Sequence, residues 1–229
     1  MADYKMEAAQ AAIKLIQPGQ TIGLGAGTTI ANLVALIAAD STLATSLTLV
    51  SSSFKTTSLM REHGLSVQSI ALTKCPAIYF DGCDQFDTEL NALKSGGGIH
   101  TSEKILASMA KEFILLGDAA KFADRLDTTY PLVIEVLPAA LTLVMERLSS
   151  YFPDAKISIR MSDKKDGAAI SDNGNLLLDV YFTQLPALDK LNILAKMIPG
   201  VVEHSLFYRI ATKAIIAGAE GIKVITPTR

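Results

Sequence analysis

The sequence predicts an α/β protein in two parts, a parallel sheet flanked by helices and a smaller α+β unit set into it. Three observations predict this. Over the first half, extended apolar runs alternate with segments of helical period, the rhythm of a parallel sheet covered on both faces. Past Asp127-Thr128-Thr129-Tyr130-Pro131 the order becomes strand, helix, strand, strand, helix, strand, which is a split βαβ unit. A glycine loop and an acidic pair both close strands of the first part, and sheets of this kind take ligands at those strand ends.

Met6, Ala9, Ile13 and Ile16 recur at helical spacing, and residues 21–24 read as a strand that enters the glycine loop. A helix over 29–39, a strand over 46–50, a helix over 56–63 closed by Gly64, a buried strand over 77–81, a helix over 102–112 and a strand over 113–117 follow. The second part reads as a strand over 132–137, a helix over 138–150 and a strand over 156–161. After the turn at Asp172-Asn173-Gly174-Asn175 come a strand over 176–182, a helix over 187–197 and a strand over 201–207. Residues 212–226 supply two short strands around Glu220-Gly221 that rejoin the first sheet. The expected division is a Rossmann-like domain of 1–127 and 208–229 and a ferredoxin-like (βαββαβ) domain of 128–207.

At 229 residues and 49% apolar content the chain can bury a sizeable core. Its 21 Lys and Arg nearly balance 23 Asp and Glu, and a net charge of −2 gives no broad field for nucleic acid or an anionic membrane. Apolar runs break well before the roughly 18 residues that a membrane span needs, and the Met1-Ala2-Asp3-Tyr4-Lys5 start has no signal-peptide core. The expected location is the cytoplasm. Cys75 and Cys83 have no His or Cys partners at zinc spacing and read as small hydrophobes. The aspartates flanking Cys83 would raise its thiol pKa and disfavour a nucleophilic role.

Chemistry concentrates in Asp81-Gly82-Cys83-Asp84, Lys94-Ser95-Gly96-Gly97-Gly98 and Glu103. Carboxylates packed with an ammonium shift one another's proton affinities, which is how a site acquires a base usable near neutral pH. Each group also has a plainer reading. Glu103 in a first helical turn could simply meet the helix dipole, and Lys94 could lie in a flexible surface loop. His100 reads as a loop residue or as a donor at a pocket rim. The loop Gly23-Leu24-Gly25-Ala26-Gly27-Thr28-Thr29 lacks the third glycine of a dinucleotide fingerprint, and the next strand ends in Ser51-Ser52-Ser53 rather than an acid. What remains is either a tight turn or an anion cradle of backbone N–H groups and hydroxyls.

Taken jointly and in order, these motifs resemble the ribose-5-phosphate isomerase A family, whose pattern reads roughly Asp-Gly-Ala-Asp-Glu, Lys-Gly-Gly-Gly and Arg-Glu-Lys-Ile. Gln17-Pro18-Gly19, Asp118-Ala119-Ala120-Lys121, the turn at 172–175 and Pro199-Gly200-Val201-Val202 extend the resemblance over almost the whole chain. The resemblance implies interconversion of ribose 5-phosphate and ribulose 5-phosphate in the non-oxidative pentose phosphate pathway, by a cytoplasmic homodimer that uses no metal or organic cofactor. It implies Glu103 as the base, Lys94 with the Gly96, Gly97 and Gly98 amides as enediolate stabilisers, and Asp81 and Asp84 as ring-opening and hydroxyl-proton partners. It further implies that Lys5, Ala26, Gly27, Thr28, Thr29, Gly82, Cys83, Ser95 and Lys121 contact the substrate, chiefly its phosphate. Gln85, Ser95, His100 and Ala120 depart from the pattern. At Ser95 the departure implies backbone strain, if the loop needs positive φ, or a hydroxyl recruited to a different sugar. A sugar-phosphate-binding protein without turnover, or an isomerase of another phosphorylated sugar, are the alternatives these departures raise.

Overall fold

The computed structural model describes residues 3–228. Asp3 caps α1 (Tyr4–Ile13) by accepting from the Met6 N–H at 3.1 Å, and Ala8, Ala9 and Ala12 bury its inner face. Next come β1 (Thr21–Leu24), α2 (Thr28–Ala39), α3 (Ser41–Ser46), β2 (Thr48–Ser51), α4 (Phe54–Glu62), β3 (Val67–Gln68) and β4 (Ile78–Asp81). Two short strands, β5 (Gln85–Phe86) and β6 (Ala92–Leu93), precede α5 (His100–Met109) and β7 (Glu112–Asp118). The second part holds β8 (Leu132–Val136), α6 (Leu141–Tyr151), β9 (Lys156–Ile159), β10 (Leu176–Tyr181), α7 (Leu188–Lys196) and β11 (Val201–His204). The chain ends through β12 (Leu206–Phe207), β13 (Lys213–Gly218) and β14 (Gly221–Ile225).

The main sheet has the order β14-β13-β7-β4-β1-β2-β3 and is parallel except for the β13–β14 pair. Successive residues face opposite sides, so Ile78, Phe80, Ile114 and Leu116 join one apolar cluster with α1 and α2, and Tyr79, Phe113 and Leu115 join another with α5. Strand order runs outward in both directions from β1 and β4. The carboxyl ends of those two strands therefore flank the crevice where such sheets bind ligands. The small sheet has the antiparallel order β11-β8-β10-β9 of a ferredoxin-like unit.

Four expectations need correction. The segment 201–207 is two strands: after Ser205 the chain leaves the small sheet, and Leu206 and Phe207 pair with Leu93 and Ala92 in a third sheet of order β12-β6-β5. Ser46 ends α3, a helix started by the Asp40 carboxylate, which accepts from the Leu43 N–H at 3.0 Å. The helix expected over 102–112 begins at His100 and stops at Met109, because the Lys111 and Glu112 N–H groups bond to the Pro76 and Ala77 carbonyls and start β7. His100 is accordingly no loop residue at a rim: it is fully buried, and its Nε2 lies 3.2 Å from the Glu203 carbonyl oxygen.

Candidate functional site

A cavity of about 360 Å³ opens at the carboxyl ends of β1, β4 and β7. Asp81 ends β4 with no exposed surface. One of its oxygens accepts from the Ala26 N–H at 3.0 Å and the Gly82 N–H at 2.7 Å. The other accepts from the Tyr79 hydroxyl at 2.5 Å and pairs with Lys94 at 2.9 Å. Burial first, and then the charges of Asp81 and Glu103, push the Tyr79 phenol well above its ordinary pKa, so it stays a donor. The loop after β1 must pass directly over this carboxylate: a Cβ on Gly25 would stand 1.9 Å from the Asp81 Cγ, which leaves room for glycine alone.

Lys94 follows β6, and its N–H bonds to the Ser205 carbonyl at 3.0 Å, so the third sheet aims its side chain inward. Its ammonium donates to the Gly82 carbonyl oxygen and pairs with Asp81 and, at 3.2 Å, with Glu103. Burial works against that charge, but the two carboxylates outweigh it and raise its pKa above that of an ordinary lysine. Glu103 is only 4% exposed. Burial drives its pKa up to about 8, with Lys94 opposing and Asp81 reinforcing the rise. Its carboxylate meets Lys94 instead of capping its own helix.

Asp84 is half-buried at the cavity wall, and one of its oxygens accepts from the Ser95 N–H at 2.6 Å and the Gly96 N–H at 2.9 Å. This corrects the picture of Gly96, Gly97 and Gly98 as three free donors. The Gly96 amide is committed to Asp84 and the Gly98 amide to the Gly96 carbonyl at 2.5 Å, which leaves Gly97 without an acceptor among the described residues. Gly98 does not line the cavity; it packs on Leu177, where a Cβ would approach to 2.6 Å.

Across the cavity, α2 begins at Thr28 with Gly27 as a cap that offers no side chain and has φ of 97°. Thr28 and Thr29, in its first turn, line the space that Lys5 and Lys121 also line. Ala26 lines it too, but its N–H is committed to Asp81. Gly82 and Cys83 form the floor between these halves, and burial, opposed by Lys94 and reinforced by the two aspartates, pushes the Cys83 thiol up to about 12. Ile99, Leu116, Gly117 and Asp118 complete the wall. Sequence reasoning missed these four, although Gly117 and Asp118 close β7 just as Asp81 closes β4. Among the described residues, no three His, Cys, Asp or Glu side chains gather in a way that could hold a metal ion.

A model of the family described as ribose 5-phosphate isomerase A (phosphoriboisomerase A) matches residues 48–221. The chain belongs to the ribose 5-phosphate isomerase A family. It is 35% identical to the ribose-5-phosphate isomerase A of Pyrococcus abyssi over 97% of both chains, and 33% identical to that of Synechococcus sp. over 96% and 95%. The structure of ribose 5-phosphate isomerase A from Methanocaldococcus jannaschii superposes with a TM-score of 0.90 at 32% identity, covering 98% of each chain. A D-ribose-5-phosphate isomerase solved in complex with phospho-erythronic acid gives 0.91 at 33% identity, again over 98% of each chain.

The departures from the ribose 5-phosphate isomerase A pattern all fall outside the cavity lining. Ser95 is buried with a negative φ, and its hydroxyl donates to the Pro131 carbonyl at 2.5 Å. Both readings of this departure, backbone strain and a recruited sugar contact, are thereby corrected. Gln85 accepts from the Asp127 N–H at 2.9 Å, and the Ala120 N–H donates to Asp118 at 3.1 Å. His100 lies against β11.

Proposed function

We propose that this chain interconverts ribose 5-phosphate and ribulose 5-phosphate through an enediolate. The observation that carries this is a buried carboxylate with raised pKa, Glu103, held 3.2 Å from Lys94 in a cavity whose far wall is an open helix start with two lysines. The phosphate binds the Gly27, Thr28 and Thr29 amides and hydroxyls with Lys5 and Lys121. That leaves the first two carbons of the open-chain sugar facing Glu103.

The Glu103 carboxylate takes the proton from carbon 2, the carbonyl oxygen on carbon 1 gains the negative charge, and the same group returns the proton to carbon 1. Charge thus leaves Glu103 as it arrives on the enediolate. Lys94 can follow it without moving far, aided by the Gly97 amide. Asp81 has every oxygen partnered and so holds Lys94 and the glycine loop in place. Asp84 keeps one oxygen without a partner among the described residues, which suits it to ring opening and to the proton exchanged between the two hydroxyls. A carboxylate on a four-carbon phosphate has the shape and charge of the enediolate, so the relative's complex with phospho-erythronic acid supports the same reading. A homodimer, a cytoplasmic location and a place in the pentose phosphate pathway belong to this reading, as does division of the chain into 1–127 with 208–229 and 128–207. Family membership supports the former, and the separate sheets support the latter except at its end, where Leu206 and Phe207 already pair in the third sheet. Among the described residues, no helix is long and apolar enough to cross a membrane.

The test is turnover on ribose 5-phosphate beside unphosphorylated ribose and a panel of pentose and hexose phosphates, with thermal stabilisation by each recorded in parallel. Turnover of ribose 5-phosphate should exceed that of every other sugar. Stabilisation without turnover would make the chain a binding protein, and faster turnover of another sugar phosphate would reassign the substrate; the four departures, all off the cavity, support neither outcome.

A further inference from the structure

Glu135 has no place in the chemistry above, yet it is a fully buried carboxylate in the middle of β8. Its four donors are neutral: Ser171 Oγ at 2.7 Å, Asn175 Nδ2 at 2.8 Å, Asn173 Nδ2 at 3.0 Å and the Thr101 hydroxyl. Burying a carboxylate without a cation is costly, and a full set of hydrogen bonds only offsets that cost. Three of the donors come from the 171–175 turn beside it in the small sheet. The fourth, Thr101, belongs to the first turn of α5, two residues before Glu103.

That turn is not secured by its own sequence. Ile99 is the residue preceding the helix and offers no side-chain cap, although an unfilled cap normally leaves a first turn loose. Residues two apart on a helix point roughly 200° apart around its axis. Thr101 therefore faces the small sheet while Glu103 faces the cavity, and pinning one side of a single turn sets the direction of the other. We propose that Glu135 is a positioning residue for Glu103, fixing through the Thr101 hydroxyl the rotation of the turn that carries the base. A parallel device acts on the neighbouring loop. Arg160, held by Asp179 at 2.5 Å, donates to the Ser95 carbonyl at 2.9 Å, so the small sheet grips the segments on both sides of the Lys94–Glu103 contact.

The inference rests on Glu103 as the base, and its test includes a reading that needs no substrate. His100 and Lys104 still tie α5 to β11 when the Thr101 bond is removed, so Thr101→Val should fold with the helix docked and release only the rotation that the Thr101 bond fixes. A displacement of that kind should lower kcat by about tenfold to a hundredfold with KM within about twofold, and Thr101→Ser, which keeps the hydroxyl, should restore it. Glu135→Gln should lower kcat in the same way. In ¹³C-glutamate-labelled protein, the carboxyl signal that Glu103→Gln removes should titrate with its midpoint moved by at least about half a pH unit in Thr101→Val and unmoved in Thr101→Ser. This reading stands even if ribose 5-phosphate is not the substrate. The proposal is overturned by folded Thr101→Val with kcat within about twofold and an unmoved midpoint. Equal losses in the Val and Ser variants overturn it too, as does loss of fold in both Thr101→Val and Glu135→Gln, which would make the pair purely structural.

Discussion

Glu103→Gln should abolish nearly all turnover of ribose 5-phosphate while the fold and the affinity for phospho-erythronic acid are kept. The amide preserves the shape of the side chain, and its oxygen can still accept from Lys94, which lies 3.2 Å from the native carboxylate. What it cannot do is accept a carbon-bound proton. Loss of a general base typically costs about 10²- to 10⁴-fold, and because the interaction is made in the transition state the loss should fall on kcat rather than KM. Steady-state kinetics beside calorimetric binding of phospho-erythronic acid measures both. Turnover within threefold of the native protein would move the base elsewhere. Asp84 would then be the next candidate, since every oxygen of Asp81 is already partnered.

Lys94→Met should be damaging in a different way. Lys94 is the cation shared by Asp81 and Glu103, and all three are nearly inaccessible to solvent. Removing one member of a buried ionic group strands the others, at a cost of about 3–5 kcal/mol in stability. The burial that already lifts Glu103 to about 8 would then act without its main opposing charge, so the base would stay protonated even above the pH at which the native carboxylate ionises. Losing the oxyanion partner as well should reduce kcat by about 10²- to 10³-fold. Unlike Glu103→Gln, this variant should bind phospho-erythronic acid weakly. Thermal denaturation and the same binding measurement separate the two variants, and a stable Lys94→Met protein with native affinity would show that the ammonium is not the enediolate partner.

The parts of this site that the sequence reveals are those written locally. Strands and helices of the main sheet alternate with clear periods, and the ligand crevice follows from that topology because the glycine loop closes β1 and Asp81 closes β4. The small unit's element order is equally plain. The third sheet is not, because strands of two residues such as β5, β6 and β12 carry no period to read. Ser102 ahead of Glu103 imitates a helix start, and the true start two residues earlier has no capping side chain to announce it. The Gly96 amide looks free in the sequence because its acceptor, Asp84, lies well upstream. Glu135 illustrates the same limit: its partners are scattered over positions 101, 171, 173 and 175, and only folding assembles them.

The central claim is that a carboxylate with raised pKa performs the proton transfer, and the pH dependence of kcat/KM tests it most directly. This quantity reports ionisations of the free protein and free substrate. Glu103 acts only when deprotonated, so activity must be lost as pH falls through its pKa of about 8. The substrate's phosphate loses its second proton near about 6, which leaves the range between 7 and 8 to the protein. The account predicts that kcat/KM for ribose 5-phosphate levels off above about pH 8 and falls toward tenfold for each pH unit below it. A profile that stays flat from pH 8 down to 6 would place the base in the ordinary carboxylate range and contradict the account.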